Sequence, residues 1–140
     1  MIAELEALRG KVATLGLSAF LGAVPAGTTP PAAYYLIELA SGARPDDLPL
    51  SDATSAWDLA VRVKSVGITP EQVIIYLDAA RMLLVPLGRV AALTVTGRGV
   101  TLVFERHEAD YLDRDVTPHR YVSLDTFALS SVPDGTEDGS

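Results

Sequence analysis

The sequence predicts an α+β fold: a mostly antiparallel β-sheet with two helices packed on one side. Two segments, near the N-terminus and in the middle, repeat apolar residues at spacings of three and four. Other stretches alternate with period two or read as short apolar runs between turn signals. These strands cluster after each helix in the order helix, strand, long loop, strand, helix, hairpin, strand, which suits α+β. At 140 residues the chain is near the size of one core, so a single domain is expected over 1–132. Residues 133–140 hold no apolar residue after Pro133 and are expected to form a disordered acidic tail.

The first helix rests on Ile2, Leu5, Leu8, Val12 and Leu15. Gly10 inside it costs about 1 kcal/mol relative to alanine, so periodicity and not propensity supports it. The thirteen uncharged residues Val12 to Val24 are too short to span a bilayer. Glu4 and Glu6 offset Arg9 and Lys11, which makes a poor leader for a secretory signal, so a helix followed by a turn is expected there. Gly22, Pro25, Gly27, Pro30 and Pro31 then forbid regular structure and make an arm.

"AYYLIEL" (Ala33 to Leu39) reads as a strand with Tyr35, Ile37 and Leu39 on one face and Tyr34, Leu36 and Glu38 on the other. Residues 40–55 form a turn-rich connection, a length that suits a functional or mobile loop. In "AWDLAVRVKSVG" Trp57, Leu59, Val61 and Val63 alternate with Asp58, Ala60, Arg62 and Lys64, and Gly67 ends the strand.

The second helix has the best-marked start. Thr69 serves as N-cap, Pro70 as first helical residue and Gln72 as the reciprocal capping partner, with Ile68 and Val73 placed for a hydrophobic staple. Its polar stripe is narrow: Glu71, Gln72, Asp78 and Arg81. Val73, Ile74, Leu77 and Leu84 form one apolar face; Ile75, Met82 and Val85 extend it to another side. Pro86 and Gly88 stop it. Residues 90–108 read as two strands around a turn at Gly97, Arg98 and Gly99, and 120–129 as a final strand. The acidic residues between His107 and His119 read as a solvated loop.

Composition narrows function. Forty-nine per cent of residues are hydrophobic and 21% are charged, as in folded proteins. A net charge of −7 with scattered basic residues argues against free-standing nucleic-acid binding. The absence of cysteine excludes disulfides, a thiol nucleophile and thiolate metal sites.

Catalytic patterns are weak. His107, Glu108, Asp110, Asp113, Asp115 and His119 follow no defensible metal spacing. Asp113 and Asp115 lack the graded ligands, glycine and closing glutamate of a calcium loop. Ser123, His119 and Asp125 could be assembled into a triad on paper, with no GxSxG elbow to support it. A small metal-dependent hydrolase built on the histidines and Asp113/Asp115 is the alternative from the enzyme class. No cofactor is expected.

The stronger signal is surplus apolar surface on the second helix and on both faces of the strand at 33–39. Either the first helix covers the second flank of the second helix or a neighbouring chain does, and the two are compatible. Candidate interface residues are Tyr34 and Leu36 on the strand, and Arg44, Asp46 and Asp47 in the long loop. Ile75, Asp78, Arg81 and Met82 on the helix, Arg98 at the turn, and Asp113, Arg114 and Asp115 in the acidic segment complete the set.

The proline-rich arm, "YYLIEL", "ARPDDLPLS", "WDLAVRVKSVGITPEQVIIYLDAARMLL" and "DRDVTPHRYVSLDTFAL", in this order, resemble the tail terminator proteins of long-tailed bacteriophages, those of phages infecting actinobacteria most of all. The resemblance runs from Met1 to about Pro133. It implies a structural virion protein, assembled in the host cytoplasm and placed at the head-proximal end of the tail. There a hexameric ring caps the tail tube, stops its elongation and joins it to the head–tail connector. The implied partners are further copies of the chain, the major tail tube protein and a connector or head-closure protein. Genomic DNA would pass through the lumen without specific binding, no membrane is involved, and no catalysis is implied. Another head–tail joining protein of the neck is the neighbouring alternative. Six copies at −7 each would give an acidic ring, suited to letting phosphates slide past.

Overall fold

The computed structural model describes residues 2–40, 56–86 and 90–134. Alternation sets the sheet. In β2 (Tyr34–Leu39) the residues Tyr35, Ile37 and Leu39 are buried, while Tyr34, Leu36 and Glu38 lie on the other face. The longer β3 (Trp57–Gly67) runs antiparallel to it and buries Val61 and Val63 on the same side. With β1 (Ser18–Leu21), β4 (Val90–Val95), β5 (Arg98–Asp113) and β6 (Arg120–Pro133), these make a six-stranded sheet in the order β1-β2-β3-β6-β5-β4. Every pairing is antiparallel except β1 with β2, which is parallel.

Two helices, α1 (Ile2–Ala13) and α2 (Pro70–Leu84), cover one face and touch each other. A single apolar cluster holds Leu5, Leu8 and Val12 of α1 and Leu77, Ala80 and Leu84 of α2. It also holds inward residues of all six strands, among them Ala19, Ile37, Val63, Leu93, Leu102 and Phe127. The α+β architecture with both helices on one side is therefore present. The sheet curls enough for α1 to contact β1 and β4, its two opposite rims. Tyr35 crosses this core and donates its hydroxyl to the Tyr76 carbonyl at 2.6 Å; burial pushes its pKa up to about 12.

The start of α2 follows its sequence signals. The Thr69 side chain accepts from the Gln72 backbone N–H at 3.1 Å, and Gln72 Oε1 accepts from the Ile68 N–H at 2.8 Å. The return bond reaches the residue before the cap, and Ile68 stays half exposed. Gly67 leaves room for this closure: a Cβ there would lie 2.6 Å from Gln72 Oε1 and 3.1 Å from a Val73 methyl, and Gln72 would have to shift.

Four boundaries differ from expectation. Helix α1 ends at Ala13, and Ser18–Leu21, expected within a helix and turn, is strand β1. Four residues are too few to show a period, and their partner β2 lies beyond the proline-rich arm. The β4–β5 turn consists of Thr96 and Gly97, with Arg98 and Gly99 already in β5; Gly97 takes φ 79° there, a left-handed conformation that glycine adopts freely. Strand β5 continues through the segment expected to be an acidic loop and ends at Asp113, opposite Arg120. Two bulges, between Phe104 and Arg106 and between His107 and Ala109, break its alternation and hid it. Finally, β6 runs to Pro133 instead of Leu129. The long loop at 41–55 and the tail at 135–140 lie outside the described residues.

Candidate functional site

Helix α2 has one face fixed by the core and another turned outward. Val73, Leu77, Ala80 and Leu84 are buried. On the far side Ile75 is 63% exposed and Met82 71%, and Ile74, between the two faces, is 47% exposed. Ile74 was expected on the buried face and sits at its margin; Val85 was expected outward and is buried. Ile75, Asp78 and Met82, spaced three and four apart, share the outward stripe. Helix α1 contacts α2 and leaves this stripe uncovered.

Arg81 was expected on the same surface but turns inward. Its guanidinium binds Asp125 of β6 with two parallel bonds, Nε to Oδ2 at 2.8 Å and Nη2 to Oδ1 at 2.7 Å. It lies 4.7 Å from the Phe104 ring centre, and Asp78 is 3.8 Å away on its outer side. Asp125 is 0% exposed on the core face of β6, where Phe127 and Leu129 also point. A carboxylate there requires paired charge. His107 completes it: Nδ1 is 3.0 Å from Asp125 Oδ1, and Nε2 is 3.1 Å from Asp110 Oδ1. Ser123 donates to Asp110 in turn.

This cluster rearranges the elements of the paper triad. Ser123 and Asp125 do share a face of β6, but the histidine that meets Asp125 is His107 of β5, while His119 lies exposed in the 114–119 connection. Ser123 is 1% exposed and its hydroxyl is engaged with Asp110, so it is no nucleophile. Glu108 bonds Thr126 on the opposite face. Among the described residues no group of three or more His, Asp or Glu side chains is disposed to hold a metal ion.

Arg98 likewise belongs to the interior. Its Nε lies 3.2 Å from Glu4 Oε2 and donates to Ser131 Oγ at 2.6 Å, which in turn donates to Glu4 at 2.8 Å. It ties α1 to β5 and β6.

The outer face of the sheet carries Tyr34 and Leu36, both half-buried. Tyr34 meets Phe20 edge-on at 5.7 Å, and Val66, Val122 and Leu124 form a small second cluster beside it. Next to them Glu38 pairs with Lys64 at 3.0 Å and Arg62 at 3.7 Å, and Arg62 reaches Glu108 at 3.4 Å. The basic side chains of β3 are thus matched by carboxylates on β2 and on β5, one strand beyond β6. Asp113 closes β5 and accepts the Asp115 N–H at 3.0 Å; Arg114 and Asp115 are exposed beyond it. Arg44, Asp46 and Asp47 lie outside the described residues. The candidates therefore occupy separate surfaces: the α2 stripe, the outer sheet face and the β5–β6 tip. Sequence reading missed the His107 cluster, although Asp125 in the alternating run "VSLDTFAL" falls on the core side, and a carboxylate at a core position announces a partner.

No family model matches the sequence. A search of curated proteins returns no match.

Proposed function

We propose that the chain is a structural subunit of the tail terminator type, assembling through α2 into a hexameric ring that caps a phage tail tube and joins it to the head–tail connector. The reading rests on the outward stripe of α2, where Ile74, Ile75 and Met82 stand exposed on a helix already buried on its other side. Each such side chain is worth about 1.5–3 kcal/mol when fully removed from water, so a neighbour that covers the stripe gains several. A ring contact is heterologous and needs two different patches on one subunit. The stripe supplies one, and the outer sheet face with Tyr34 and Leu36 is suited to be the other. The sequence resemblance supports the same role and supplies its biology: a virion location, tube and connector as partners, DNA passing through, and no reaction catalysed. The matched charges of Arg62 and Lys64 suit a surface that does not hold phosphate.

Light scattering after size exclusion, alone and with purified tail tubes, tests this. The expected particle is six times 14.8 kDa, free or bound at a tube end. A chain that stays monomeric and never binds tubes sinks the reading.

A further inference from the structure

His107 sits between two carboxylates, with one ring nitrogen on each: Asp125 at 3.0 Å and Asp110 at 3.1 Å. A neutral imidazole has one N–H and one lone pair. In either tautomer one carboxylate would face a lone pair at hydrogen-bond distance, and flipping the ring would set C–H groups against both carboxylates instead. Only the imidazolium, a donor at both ends, satisfies the arrangement.

The position gives this proton leverage. Among the described residues β4 accompanies β5 only as far as Val103, so the segment beyond is held on one side alone, by β6. His107 stands between the two bulges of that segment. Its Asp125 bond reaches the carboxylate that anchors Arg81, and through it α2; its Asp110 bond pins β5 beyond the second bulge. The charged groups that face it are Asp125 from β6 and Asp110 from β5, with Arg81 and Asp78 of α2 behind Asp125. Arg106 and Glu108 point to the opposite face, toward Thr126.

We propose that His107 is a protonation-dependent clasp: doubly protonated, it ties Asp110 to the buried Asp125, and its deprotonation releases the bulged segment of β5 from β6. The proposal concerns a single chain and is independent of the ring reading. Partial burial depresses the histidine pKa, but the hydrogen bonds to Asp125 and Asp110 outweigh this and raise it above the usual 6.5. The sign follows. A raised folded value contributes stability that is fully present below 6.5 and lost as pH climbs through the folded value. Asp110, lowered mainly by the Ser123 hydrogen bond and further by His107, loses its contribution at the other end, as pH falls through its folded value below 3.8. The clasp is closed between.

The test is an NMR titration of the imidazole nitrogens in a His119→Gln background, which leaves one histidine, with amide exchange measured across the same pH range. Both nitrogens are expected to be protonated below pH 6.5, with a midpoint above 6.5. Protection at 106–110 should fall through that midpoint by about tenfold per pKa unit of elevation, relative to 100–104 of the same strand. A midpoint at or below 6.5, or protection at 106–110 that stays flat through the midpoint, overturns the proposal. His107→Gln should abolish the pH step, and a step that persists in it also overturns the proposal. If that variant fails to fold, the titration of the histidine-bearing chain decides alone.

Discussion

Both helices are tied to the sheet by a buried carboxylate–arginine pair, and the two ties are built with opposite polarity. Helix α1 contributes the carboxylate, Glu4, which meets Arg98 of β5 and Ser131 of β6. Helix α2 contributes the arginine, Arg81, which meets Asp125 of β6. Glu4 is 1% exposed and Asp125 0%, so each carboxylate has its partners where water would otherwise be. The α2 tie alone includes a histidine. Their responses to pH should therefore diverge. Burial raises the Glu4 pKa, but hydrogen bonds, that of Ser131 among them, bring it below its usual 4.5, so the α1 tie weakens as pH falls through that lower value. The α2 tie loses its histidine arm as pH rises. The helices also differ in what they leave outside. Helix α1 buries Leu5, Leu8 and Val12 and shows a large apolar side chain only at its first residue, Ile2; α2 shows Ile74, Ile75 and Met82 along its length. The one is a fixed part of the core, the other a core element that also offers a surface.

Breaking the ties separates them. The largest effect is expected from Asp125→Ala, which strands the Arg81 guanidinium and the His107 ring together. Removing one partner of a buried pair costs about 3–5 kcal/mol, measurable by urea unfolding, and amide protection should fall in α2 before α1. Equal loss in both helices would mean that the ties are not separate. Glu4→Gln keeps the shape and removes the charge. About 1.5–3 kcal/mol should go, and the acid limb of the stability profile should flatten while the alkaline limb stays. The smallest effect on folding should come from Ile75→Ser with Met82→Ser, within about 0.5 kcal/mol for the lone chain. If the stripe is a subunit contact, this pair abolishes the oligomer in light scattering; an intact ring in the double variant would move the contact elsewhere.

Much of this frame was legible beforehand, for local reasons. The alternation in β2 and β3 and the Thr69–Pro70–Gln72 start of α2 are short-range signals, each complete within a dozen residues. Strand β1 was not legible, because it exists through a parallel partner beyond the arm. The far half of β5 was not, because its bulges shift the acidic residues out of any simple period. The ties were least legible. Glu4 reaches residues in β5 and β6, and Arg81 pairs 44 residues along the chain; a surface helix with an arginine three past an aspartate looks the same whether that arginine faces water or a buried carboxylate. Arg81 and Arg98 were for this reason assigned to the surface when both bind inward.

The order of strands has a consequence for how the chain is made. Strand β6 is the last of the six described strands in sequence yet lies in the middle of the sheet, between β3 and β5. Until it leaves the ribosome, β1-β2-β3 and β4-β5 are two unconnected ribbons, and Asp125 and Ser131 do not yet exist to receive either helix. Assembly of the sheet must therefore wait for β6, and a nascent chain stalled before Arg120 would display both ribbon margins to whatever else is in the cell.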